Sequence, residues 1–175
     1  MIALRPCKDR WLRWAAVFLL APLLAACQTT PPAAPSFSPE QVAVLKTYDF
    51  VEGEGRWELG LEGKLLFPVD QSDLVVAQLE RLRTMAARLA EVGITGARVD
   101  GHTDATGSEQ HNLDLSLRRA QAVQRALVLG GMKDGRVLAR GMGSSHPVEN
   151  NRTVQGRREN RRVTIMVSPD ESYPY

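Results

Sequence analysis

Between residues 57 and 168 the spacing of apolar residues switches repeatedly between a period of two and a period near 3.6. That alternation limits the segment to strands interleaved with amphipathic helices. Residues 57–67 partly alternate apolar and polar side chains, as a strand with one buried face does, and Pro68 ends or bends it. Leu74, Val75, Leu79, Leu82, Ala86 and Leu89 recur at steps of three and four, marking a helix that Gly93 terminates. Its polar side carries Glu80, Arg81, Arg83 and Arg88, a solvated face with no assigned role. A second strand is predicted over 94–99, a loop over 103–108 and a helix over 109–130 with Ala120, Val123 and Leu127 inward. Residues 136–140 and 162–168 supply two more strands. This order predicts a two-layer α/β (α+β) sandwich of βαβαββ type with a mixed sheet, and about 115 residues are enough to bury its core.

The chain ahead of this segment reads as an address and a leash. Arg5, Lys8, Arg10 and Arg13 precede an apolar run from Ala15 to Leu24, the pattern of a secretory signal over residues 1–26. The run is too short for the roughly 20 residues that a spanning helix needs. Leu24-Ala25-Ala26-Cys27 resembles the lipobox of bacterial lipoproteins, which implies cleavage before Cys27 and acylation of its thiol, palmitate included. At about 0.8 kcal/mol per buried methylene, several acyl chains make such an anchor effectively permanent. Glutamine at position 28 implies, by resemblance to lipoprotein sorting rules, transfer to the outer membrane facing the periplasm.

With Cys7 in the signal and Cys27 acylated, the mature chain holds no thiol for a disulfide, redox site or zinc. The chain's 22 Lys+Arg and 20 Asp+Glu become 18 and 19 once the signal is gone. That balance excludes the broad cationic field of a nucleic-acid binder. Pro31, Pro32, Pro35 and Pro39 among Thr, Ala and Ser mark a tether, and residues 27–56 are expected to form it. Fully extended, its roughly 30 residues reach about 100 Å. Ser38-Pro39-Glu40-Gln41 is a capping box with proline at the first helical position, so a short amphipathic helix begins inside this tether. Leu45, Phe50 and Trp57 follow as large apolar groups outside the main domain. They either fold back onto it or form a docking surface for a protein partner, since aromatic and leucine anchors dominate interface energies.

Four motifs stand in fixed order: Gly101-His102-Thr103-Asp104, Asn112-Leu113-Asp114-Leu115-Ser116, Arg119-Ala120 and Asn160-Arg161-Arg162-Val163. Together they resemble the OmpA-like peptidoglycan-binding domain over roughly residues 62–168, which implies a domain over 57–168 with 169–175 as a tail. The resemblance implies non-covalent capture of the diaminopimelate residue of the wall's stem peptide. Asp104 leaves a strand and Arg119 lies on the following helix, so the two can face one pocket. Diaminopimelate carries an ammonium and a carboxylate on one carbon, which a carboxylate and a guanidinium match charge for charge. By the same resemblance Asn112 and Arg161 assist, and Thr103 and Thr106 lie in the pocket's loop. The plainer alternatives are an internal Asp104–Arg119 salt bridge and an ordinary solvated run of arginines from Arg152 to Arg162. His111 and Pro68 depart from the usual family pattern, at the pocket's rim and far wall.

An enzyme is not indicated. His102, Asp104, His111 and Ser116 lack the spacing of a metal site or nucleophile set, and no HExxH, Gly-x-Ser-x-Gly or P-loop occurs. No cofactor or metal is expected. Cys27-Gln28-Thr29, residues 40–45, Phe50 and residues 57–60 further resemble the signalling lipoproteins of the YfiBNR type. This implies sequestration of a YfiR-like periplasmic repressor, which relieves an inner-membrane diguanylate cyclase and raises cyclic di-GMP. The alternative role is a passive Pal-like tether of outer membrane to wall. A homodimer is compatible with either.

Overall fold

The structure is a computed structural model that describes residues 35–53, 55–67 and 71–170. Residues 35 onward form one compact unit. The expected signal, Cys27, Pro68 and most of the tail lie outside the described residues.

The first element is helix α1 (Pro39–Thr47), and its start is the expected capping box. Gln41 N–H donates to Ser38 Oγ (3.2 Å), and Ser38 N–H donates back to Gln41 Oε1 (2.8 Å). The Gln41 amide also donates to the Val92 carbonyl (3.0 Å), fastening the helix to the domain. Asp49, with φ 61°, turns the chain into strand β1 (Val51–Glu52), which pairs antiparallel with β2 (Trp57–Glu62). Leu45, Phe50 and Trp57 enter the main core at 0%, 4% and 5% exposure. Of the two alternatives for these three residues, the structure shows the fold-back onto the domain. Large apolar groups beside an unfinished core bury themselves in it. Within the expected tether over 27–56, α1 and β1 form a strap on the domain, and residues 27–34 lie outside the described residues.

Strand β2 stops earlier than its alternation suggests, giving way to a four-residue helix, α2 (Gly63–Leu66). The cause is a close approach: Gly63 N–H donates to the Arg161 carbonyl (2.8 Å), and a Cβ at Gly63 would stand 2.8 Å from the same oxygen. Helix α3 (Val76–Glu91) is followed by Gly93 in the left-handed region at φ 85°. Then come β3 (Ala97–Gly101), α4 (Glu109–Leu129), β4 (Val137–Gly141), α5 (Val154–Asn160) and β5 (Arg162–Val167).

The five strands form one sheet in the order β1-β2-β5-β3-β4. Only β3 and β4 are parallel, joined by the crossover helix α4, and all other pairs are antiparallel. The sheet is mixed and the two-layer α+β expectation holds. Leu82 and Leu89 of α3 and Val123 and Leu127 of α4 meet Val99, Val137 and Ile165 of the sheet in one core. The strand expected at 94–99 instead runs from Ala97, in register with Val137–Gly141.

Candidate functional site

At the C-terminal end of β3 the chain passes through Gly101, His102 and Thr103 to Asp104. Its course is dictated by α4, for a Cβ at Gly101 would stand 2.1 Å from the Ser116 carbonyl. Glycine thus lets helix and strand close together. Ser116 Oγ donates to the Leu113 carbonyl (2.9 Å) and accepts from Gly143 N–H (3.0 Å), while Thr103 N–H donates to the Gly143 carbonyl (2.9 Å). The loop, α4 and the turn after β4 are thereby locked as one piece.

Asp104 is 7% exposed. Its Oδ1 accepts from Thr106 N–H (2.8 Å), and its Oδ2 accepts from Arg161 Nη1 (2.5 Å). Burial disfavours the charged carboxylate, but the Arg161 and Thr106 hydrogen bonds outweigh it and hold the carboxyl below its ordinary value. Asn112, also buried, donates through Nδ2 to the carbonyls of Thr106 (3.0 Å) and Asp104 (3.4 Å). Its described bonds therefore shape the loop. Thr103 Oγ1 is buried with no hydrogen-bond partner among the described residues.

Arg119 follows Asn112 by two helical turns, on the same face of α4 and about 10 Å further along. Its Nε donates to the Gln71 carbonyl (3.0 Å), and its guanidinium lies 5.2 Å from the centroid of the Phe67 ring. The charge partner of Asp104 is thus Arg161, and the simple Asp104–Arg119 salt bridge is not what fastens the loop. Within the arginine run, Arg161 is not simply solvated, since its guanidinium donates to Asp104.

Asn160 is the residue that sequence reasoning undervalued. It is fully buried, and its Oδ1 accepts from the N–H groups of Val148 (2.8 Å) and Glu149 (3.0 Å). Its Nδ2 donates to the Glu149 carbonyl (2.8 Å) and to Asn151 Oδ1 (2.9 Å). Asn151 Oδ1 in turn accepts from Ala105 N–H (3.2 Å), so one amide links α5 to the Asp104 loop. Its place at the head of the Asn160-Arg161-Arg162 motif was the available signal. His102 is packed at 7% exposure; burial, then the neighbouring Arg162 and His146, push its pKa down to about 4. The ring is therefore neutral at pH 7. His111 is exposed on the first turn of α4.

The Asp104 carboxylate and the Arg161 guanidinium form one ion pair beyond the end of β3, and Arg119 stands further along α4, held by the Gln71 carbonyl and the Phe67 ring. The OmpA family model matches residues 66–161, which includes every one of these side chains. The chain belongs to the OmpA family. It is 40% identical over 157 residues to a lipoprotein of Escherichia coli named YfiB, covering 86% of this chain and 96% of that one. It is 41% identical over 152 residues to the outer-membrane lipoprotein YfiB of Pseudomonas aeruginosa, covering 87% and 90%. Among solved structures, the cell wall anchor of the type VI secretion system of Pseudomonas aeruginosa superposes with a TM-score of 0.60 at 27% identity, covering 77% and 97%. The chain is accordingly an outer-membrane lipoprotein of the OmpA family and not an enzyme. Among the described residues no helix is long and apolar enough to cross a membrane.

Proposed function

We propose that this lipoprotein binds peptidoglycan without covalent chemistry, holding the diaminopimelate residue of the stem peptide between Asp104, Arg161 and Arg119. The observation that carries the reading is the buried Asp104 carboxylate held ionised by Arg161 and Thr106 at the head of α4. Asp104 meets the ligand's ammonium, and Arg119 its carboxylate. Asn112 and Thr106 hold the loop in shape, and Thr103 contributes its buried hydroxyl. Cys27 carries the lipid. Co-sedimentation of the protein with purified diaminopimelate-type peptidoglycan tests this reading. Unaltered protein pellets, while Asp104→Ala and Arg119→Ala each weaken binding tenfold or more, about 1.4 kcal/mol or greater. Pelleting that neither substitution reduces overturns the assignment.

The second part of the proposal is capture of a YfiR-like periplasmic repressor, supported by 40% identity to lipoproteins named YfiB over nearly their full length. Leu45, Phe50 and Trp57 lie in the core, so the folded-back strap offers them to no partner. That observation favours a passive Pal-like tether for this state, and repressor capture through them requires the strap to leave the domain. Pull-down of the repressor with Leu45→Ala and Trp57→Ala separates the two. Capture that neither substitution changes removes these residues from the interface.

A further inference from the structure

Two arginines take part in the proposed wall site, and the four-residue turn α2 reaches the anchorage of both. Gly63 N–H donates to the Arg161 carbonyl (2.8 Å), and the Gly63 carbonyl accepts from Phe67 N–H (2.9 Å). The turn therefore links the backbone of Arg161 to that of Phe67. Phe67 leaves α2 in extended geometry, and the Leu66 carbonyl accepts from Val75 N–H (3.0 Å), fastening the chain again just ahead of α3. With its own N–H and the preceding carbonyl both bonded, and 3% of its surface exposed, Phe67 is a fixed part of the core. The Arg119 guanidinium carbon stands 5.2 Å from the centroid of its ring.

An arginine side chain turns about several bonds before it reaches its guanidinium, and ordering such a chain at the moment of binding weakens affinity. Arg119 is ordered beforehand. It is 7% exposed, its Nε donates to the Gln71 carbonyl (3.0 Å), and its charge lies over the negative face of an aromatic ring. The bond at Nε fixes one atom; the direction in which the planar fork faces needs a further contact, and the ring is such a contact. A leucine would cover the stem of Arg119 as well, but only an aromatic face attracts the charge itself. We infer that Phe67 is a positioning residue of the wall site, holding the Arg119 guanidinium in the orientation in which it meets the ligand's carboxylate, with α2 fixing that position relative to Arg161. The inference rests on the proposed capture of diaminopimelate and adds to it a residue that acts through Arg119.

The test uses the full lipidated chain in phosphatidylcholine nanodiscs, co-sedimented with increasing amounts of purified diaminopimelate-type peptidoglycan. Phe67 is replaced by mono-, di- and trifluorinated phenylalanine, which keep the shape of the ring while draining negative charge from its face. Apparent affinity is expected to fall stepwise along the series, to about one third with the trifluorinated ring, while the melting temperature stays within about 2 °C. Phe67→Leu, which keeps the apolar cover, binds about fivefold more weakly. Should Phe67→Leu fail to fold, the fluorinated series decides alone. Arg119→Ala is the reference. If it weakens pelleting and the fluorinated series does not, the inference is overturned and the wall site stands. Binding and melting temperature that fall in parallel along the series make Phe67 a core residue only, which also overturns it. Pelleting that Arg119→Ala leaves unchanged overturns the proposed wall site and this inference together.

Discussion

The strap of α1 and β1 and the loop cluster around Asp104 both bury residues, but by different physics. Leu45, Phe50 and Trp57 are removed from water by packing, which has no required angle and grows with area. Asp104, Asn112 and Asn160 are equally buried, yet each is tolerated only because its polar atoms find partners at fixed positions. The comparison teaches that one end of the domain is held by quantity and the other by geometry. Shaving a methyl from the strap costs stability in proportion, while removing one amide from the cluster leaves several backbone groups stranded in the interior.

The largest effect falls on the apolar side. Trp57→Ala lowers unfolding free energy by about 3–5 kcal/mol in denaturant titration, while the fraction that remains folded pellets with peptidoglycan as before. A loss under about 1 kcal/mol would break the comparison by showing that the strap is no part of the folded unit. Next comes pH. His102 has a folded pKa of about 4 against 6.5, so between those values the unfolded chain binds the extra proton. Stability is therefore complete above about pH 6.5 and falls as pH drops toward 4, by as much as about 3 kcal/mol. His102→Leu should flatten that part of the pH–stability curve. Asn160→Ala costs about 2 kcal/mol, less than Trp57→Ala, but should abolish pelleting because Ala105 and its loop lose their brace. If pelleting survived, the cluster would not act as one piece. Ser38→Ala, which removes only the cap of α1, costs about 1 kcal/mol by thermal melting and leaves wall binding unchanged.

The same contrast explains how much was legible beforehand. Periodic apolar positions announce α3, α4 and the alternation of layers, and a local motif announces the capping box at Ser38. By contrast α2, α5 and the two residues of β1 carry no periodicity. They form because distant chain reaches them, as the Arg161 carbonyl does at Gly63. Gly156 in α5 likewise sits against Asn150, where a Cβ would stand 2.2 Å from the backbone oxygen. Within the site, Asp104, Arg119 and Arg161 were readable as charges in motifs. That Asp104 is joined to Arg161, and that Asn112 and Asn160 face inward to backbone groups, depends on packing that no local pattern encodes.

The ion pair of Asp104 with Arg161 gives the proposed ligand step a particular character: it is an exchange in which a bond already made is surrendered. A lone ammonium that displaced Arg161 would leave a guanidinium without its anion, and a lone carboxylate would leave Asp104 without its cation. In the proposed binding mode a molecule with both groups on one carbon gives Asp104 its ammonium and brings a carboxylate that Arg161 shares with Arg119. The Arg161 backbone, meanwhile, stays bonded to Gly63, so only the guanidinium has to swing. Under the proposed function, this pair favours a zwitterion over simple amines and acids, at the expense of raw affinity.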